Sequence, residues 1–199
     1  MHRLSDDIYE MLKKKVADVY EECNILEFPI DPFKILSNYS EIVISKYSES
    51  NDIDLLRKIS NDGFSFQHGC EWHIYYNDTI SNLPRITQTI LHEFAHYYLE
   101  HNPCNKSDEE EAEATFFAKY LLAPLPVIMQ LPIPPTKINL QFNFGLGFQA
   151  SEITLENYKK RVRFGPKELT EYEERIISQV EPFIERISSI IPSIEYSLW

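Results

Sequence analysis

The chain has 199 residues, 43% of them hydrophobic and 13% aromatic, with 19 basic against 31 acidic side chains and a net charge of −12. That length can bury a core without disulfides or a structural metal, and the composition is that of a globular chain, not a disordered one. The acidic balance disfavours general binding to phosphate backbones and suits a basic protein partner.

Cys23, Cys70 and Cys104 are scattered and show no CxxC spacing. Neither a disulfide framework nor a thiolate zinc site is expected, and a reducing compartment fits them. The opening MHRLSDDIYEMLKKK lacks the apolar stretch of a signal peptide. No uninterrupted apolar run approaches the roughly 18 residues of a membrane span, so a cytoplasmic protein is expected.

In chain order, Leu4, Ile8, Met11, Leu12, Val16 and Val19 repeat near 3.6 and predict a helix over 4–22. DPFKILSNY follows, with Asp31 placed as N-cap and Pro32 at the first helical position. EIVISKY (41–47) is rich in β-branched residues and predicts a strand. Residues 48–62 are polar, with one helical turn suggested around Leu55. FSFQH and EWHIYYN alternate around Gly69-Cys70 and predict a β-hairpin. The strand Glu71–Asn77 is expected to be an edge on which an extended peptide can add.

A helix is predicted over Arg85–His101, closed by Asn102-Pro103. Ser107 then opens SDEE, a capping box with Glu110 at N3, for a helix running to about Leu122. LAPLPVIMQLPIPP (122–135) is expected to be an irregular connector. Beyond it, residues 137–164 predict one or two short helices, and 167–191 a single amphipathic helix with Leu169, Ile176, Ile177, Val180, Phe183, Ile184, Ile187 and Ile191 on its apolar face.

Within TILHEFAHYYLEH (89–101), His92, Glu93 and His96 form HEFAH on the predicted helix. The i, i+4 spacing puts both imidazoles on one face, one turn apart, where both can bind one Zn2+. Glu93 projects beside that face, placed to take a proton from water and return it to a leaving amine. The polar face of an ordinary amphipathic helix accounts for the same pattern, so a third ligand decides between the two.

A metzincin arrangement needs His six residues after His96 and Gly three after it, where this chain has Asn102 and Leu99. His101 is one position off and near the helix end, a weak ligand. In DEEEAEATFFAKYLLAP, Glu111 shares a helix face with Ala114, Thr115, Ala118 and Leu122, small enough for close approach to the HEFAH helix. Glu113 falls over Phe116, Phe117 and Tyr120, whereas Glu109 and Glu110 belong to the cap. Thr115, one turn on, is placed to hydrogen-bond a ligand. For the oxyanion, His68, His73, Tyr75, Tyr76, Tyr97 and Tyr98 are all candidates.

RITQTILHEFAHYYLEH followed by EEEAEATFFAKYLLAP resembles the ImmA/IrrE-like zinc metallopeptidases, and the likeness extends over about residues 5–165. Phe117, Ala118, Leu121, Leu122 and Pro124 match the second half of the family pattern, with Thr115 in place of its usual Asn. The resemblance implies an α+β fold: a small antiparallel or mixed sheet on a zincin-type HExxH helix and a glutamate-bearing helix, with a helical C-terminal part. With the Pro-rich stretch 122–135 as the boundary, a metallopeptidase domain is expected over 1–124 and a helical region over 125–199, in which 137–164 resembles the family's helix-turn-helix-like segment and the last helix lies outside the likeness. The resemblance makes His92, His96 and Glu111 the zinc ligands and Glu93 the catalytic carboxylate. It also implies limited cleavage of a protein substrate, a helix-turn-helix repressor of a mobile element or stress response. A zinc-containing module that binds a repressor, or a toxin–antitoxin partner, without cleaving is the alternative. The basic run Lys159, Lys160, Arg161, Arg163 is read as a solvated helix face in preference to a DNA contact.

Overall fold

The computed structural model describes residues 4–195, with side chains to residue 190; Ile191 lies outside the described side chains. Helix α1 is Asp6–Glu22, α2 Pro32–Leu36, strand β1 Ile42–Lys46, helix α3 Ile53–Ile59, and strands β2 and β3 are Gly63–His68 and Glu71–Tyr76. Helices α4 (Leu83–Tyr98), α5 (Asp108–Leu122), α6 (Leu125–Gln130), α7 (Lys137–Phe144), α8 (Phe148–Phe164), α9 (Glu171–Gln179) and α10 (Glu181–Glu195) follow. The fold is therefore α+β, with a three-stranded mixed sheet and a helical C-terminal part. Packing divides the described residues into one unit of 4–12 and 31–119 and another of 13–30 and 120–195.

In the first unit the sheet order is β1-β3-β2, with β1 parallel and β2 antiparallel to β3. This corrects the expectation that Glu71–Asn77 is an edge. Ile42–Lys46 pairs along one side of β3 while the hairpin partner occupies the other, so the edges are β1 and β2. Gly69 turns the hairpin at φ 62°, a backbone region open to glycine without strain. Trp72, Ile74 and Tyr76 alternate inward and are buried, as are Ile90, Leu91 and Phe94 of α4. Gly63 allows β2 and α4 to approach closely: a Cβ there would meet Thr89 Cγ2 at 2.7 Å.

Local capping explains several boundaries. Asp31 accepts from Phe33 N–H at 2.9 Å ahead of Pro32, as expected. Asn82 caps α4 by accepting from Arg85 N–H, so this helix begins at Leu83, two residues earlier than predicted. It also ends at Tyr98, short of His101. Glu100 takes the left-handed conformation (φ 58°), with Glu100 N–H donating to Tyr97 O and His101 N–H to His96 O. Those two bonds are the Schellman closure, which turns His101 back beneath the helix it was expected to extend. At the start of α5, Glu110 N–H donates to Ser107 Oγ and Ser107 N–H to Glu110 Oε2, the predicted capping box.

In the second unit the connector 122–135 is not wholly irregular. It contains α6, because Pro126 occupies the first turn, where a missing N–H costs nothing. Residues 137–164 form two helices, and α8, at 17 residues, is not short. Gly145 closes α7 at φ 65°. The single final helix is corrected to two, meeting at Val180. Pro182 lacks the N–H that would continue the ladder and its ring blocks the carbonyl four residues back, whereas at the second position of a new helix it is tolerated. Tyr20, Phe28, Phe144 and Phe183 form the aromatic centre of this unit, with Phe28 4.7 Å from Phe144 and 5.0 Å from Phe183 between ring centroids. Arg161 of the basic run pairs with the buried Glu173 at 3.1 Å.

Among the described residues, Asp108–Gln130 is the one helical stretch long and apolar enough to pass a length-and-composition test for a span. Two thirds of its most apolar window is buried within the protein, and it breaks between α5 and α6. It is a core segment on that evidence.

Candidate metal centre

The i, i+4 spacing on α4 stacks His92 and His96 with ring centroids 4.8 Å apart, and α5 lays Glu111 against both. His96 Nε2 lies 3.2 Å from His92 Nε2, His92 Nε2 is 3.2 Å from Glu111 Oε2, and His96 Nε2 is 3.4 Å from Glu111 Oε1. Zinc bonds of about 2.0–2.2 Å in tetrahedral geometry put ligand atoms roughly 3.3–3.5 Å apart, so the spacing and the N, N, O donor set both fit that ion. Among the described residues this is the one cluster of three or more such groups whose atoms can converge on a metal. The three residues singled out in the sequence are thus brought together.

The protonation of His96 and Glu111 suits ligation. Burial first, then the positive charge of Lys106 and the neighbouring His92 and His101, push the His96 imidazole down to about 2. It is held neutral, the form with a lone pair to give. The Glu111 carboxyl is lowered chiefly by its hydrogen bond with His92, against an opposing effect of burial. Thr115 Oγ1 approaches His92 Nδ1 at a long 3.5 Å, the contact expected of it.

Glu93 is buried on α4 beside the ligands, as its 100° offset requires. Its Oε2 accepts from Ser65 Oγ at 2.6 Å and from Lys106 Nζ at 3.0 Å, while Lys106 Nζ also reaches Ser65 Oγ at 3.2 Å. Sequence reasoning missed both partners. Ser65 is an inward position of β2, although the alternation of FSFQH, with Phe64 and Phe66 as its apolar members, reads it as facing outward. Lys106 sits in the loop after α4, where no periodicity indicates direction.

Two further residues have roles that the sequence reading did not assign. His101 lies outside the His92, His96 and Glu111 cluster, and its Nδ1 lies 2.9 Å from His96 Nδ1. Glu113, expected over aromatic rings, instead places Oε2 3.0 Å from His101 Nε2. Of the oxyanion candidates, His73 pairs with Glu71 at 3.2 Å, Tyr75 stacks on Phe64, and Tyr76 is buried near Phe33. Tyr97 donates its hydroxyl to Glu41, Tyr98 packs on Phe94 and Phe117, and His68 is exposed near the hairpin turn with its ring 6.2 Å from His73.

A family model described as IrrE N-terminal-like domain, of the Peptidase M78 family, matches residues 51–156, just over half of the 199-residue chain. The match runs from before α3 into α8 and encloses every residue of the cluster. No curated protein matches the chain.

Proposed function

Since the chain belongs to the IrrE N-terminal-like family and so has a metallopeptidase-type function, we propose that it is a zinc-dependent endopeptidase making limited cuts in a protein substrate. The observation that carries this reading is the convergence of His92, His96 and Glu111 with Glu93 buried alongside. In it, His92, His96 and Glu111 hold Zn2+, which supplies a Lewis acid for the scissile carbonyl and lowers the pKa of water. Glu93 takes the proton from water and returns it to the departing amine. Ser65 and Lys106 hold the Glu93 carboxylate in one orientation by bonding the same oxygen, Oε2.

An extended substrate segment is proposed to add along β2, an edge strand whose Ser65 touches Glu93. The substrate proposed is a helix-turn-helix repressor, as the likeness to ImmA/IrrE-like peptidases implies. The net charge of −12 suits a DNA-binding protein, whose surface is basic. A cytoplasmic location goes with this substrate, and the three free cysteines, Cys23, Cys70 and Cys104, accord with it.

The test is incubation of the zinc-loaded protein with purified helix-turn-helix repressors, any encoded beside it first, followed by mass spectrometry of the products. One discrete cut is expected, slowed by about 10²–10⁴-fold in Glu93→Gln, with one zinc per chain in both proteins. Cleavage by Glu93→Gln at the wild-type rate would sink the assignment of the base.

A further inference from the structure

We propose that His101 and Glu113 form a hydrogen-bonded relay that fixes His96 in the one tautomer able to bind a metal, so that the site is preset before the ion arrives. The proposal rests on the reading of His96 as a ligand.

The tautomer follows from the protons each ring nitrogen can hold. His96 directs Nε2 toward His92 and Glu111, and Nδ1 away from them toward His101. Two ring nitrogens 2.9 Å apart must be one donor and one acceptor. Which one donates is decided by the nearer carboxylate, because Glu113 Oε2 is 3.0 Å from His101 Nε2 whereas Glu111 Oε1 is 3.4 Å from His96 Nε2. Glu113 presents a carboxylate oxygen 3.0 Å from His101 Nε2, and a carboxylate only accepts. The proton of a neutral His101 therefore sits on Nε2, which leaves Nδ1 as a lone pair. His96 must then carry its own proton on Nδ1, and its Nε2 faces the site as a bare lone pair. The opposite order would put Nε2–H into the site, where it cannot ligate.

Burial enforces this pairing. The His96 side chain is fully buried, and those of His101 and Glu113 are only 5% and 15% exposed. Water is poorly placed to substitute for a lost partner, and an unpaired buried donor is costly. The local fold is built to deliver His101. Glu100 accepts a left-handed backbone, so His101 N–H closes on His96 O and the two rings lie 5.0 Å apart between centroids. Metal-ligating histidines commonly donate their second N–H to a carboxylate or carbonyl. Here a second histidine is interposed, and the carboxylate acts through it. His101 and Glu113 are positioning residues on this account; neither touches the metal or the substrate.

Two measurements decide it. Long-range 1H–15N correlation of zinc-free wild-type protein is expected to show His96 protonated on Nδ1, and protonation on Nε2 would overturn the relay. This reading needs no variant to fold. Competition with a chromophoric zinc chelator is expected to show His101→Phe binding zinc about 10–100-fold more weakly than the wild type. Glu113→Leu should behave similarly, while Glu113→Gln, which keeps an acceptor oxygen for His101, recovers most of the affinity. Zinc binding by His101→Phe as tight as the wild type's would also overturn the relay. Failure of the wild type to bind zinc would instead remove the ligand assignment, and failure to cleave a repressor would leave both measurements standing.

Discussion

The two units bury different things. In the first, Ser65, Asn77, Glu93, His96 and His101 are all buried polar side chains, and four of them belong to the network around the candidate metal centre. In the second, the centre is four aromatic rings, Tyr20, Phe28, Phe144 and Phe183, with Ser151 and Glu173 as the buried polar groups. Apolar burial stabilises without direction, at about 25 cal/mol per Å². Buried polar groups are nearly neutral when paired and costly when not. The contrast teaches that the first unit devotes part of its interior to orientation, at the expense of the stability that the second unit draws from its rings.

Truncation in the aromatic centre should separate the two most sharply. Phe183→Ala is expected to cost about 3–5 kcal/mol of stability in denaturant titration, because a fully packed ring leaves a cavity, while the folded variant still binds one zinc. A loss below about 1 kcal/mol would deny that this cluster is the core its burial implies.

A smaller effect is expected at the turn beneath His96. Glu100 holds a positive φ that glycine adopts freely, so Glu100→Gly should raise stability by about 1 kcal/mol in the same titration. It should leave zinc affinity unchanged, since the backbone path to His101 is kept. Destabilisation would mean that the Glu100 side chain matters more than its backbone.

The smallest effect is a matter of pH. Backbone N–H groups, that of Ser107 first and that of Asn102 next, hold the Glu110 carboxyl down at about 2, against an ordinary 4.5. A carboxyl depressed on folding adds stability that is complete above about pH 4.5 and lost as pH falls toward 2. The difference in unfolding free energy between the wild type and Glu110→Gln should therefore be level above pH 5 and close over that window. A gap that widened on acidification would contradict the cap geometry.

Much of the site was legible because its chemistry is local. HEFAH places two imidazoles one turn apart in any helix, and the small face under Glu111 indicated which carboxylate reaches them. The Ser107–Glu110 capping box and the Gly69 hairpin turn likewise depend on residues within a few positions of one another. The misreadings share a different cause. The apolar spacing of 167–191 continues through Val180 and predicts one helix, because such spacing does not record the break that Pro182 makes. The prolines of 122–135 predict an irregular connector, although Pro126 suits a first turn.

What the sequence by itself determined was the pair His92 and His96 on one helix face with Glu93 beside it, since i, i+4 geometry needs no neighbour. Only the tertiary structure decided that β1 slots beside β3 and makes it central, since strand order is a choice among distant partners. It alone brought Ser65 and Lys106 onto Glu93, across 28 and 13 positions of chain. It alone turned His101 under His96 and set Glu113 against it. Such pairings depend on the register of one element against another and on where a loop returns, and side-chain periodicity along a single element carries neither quantity.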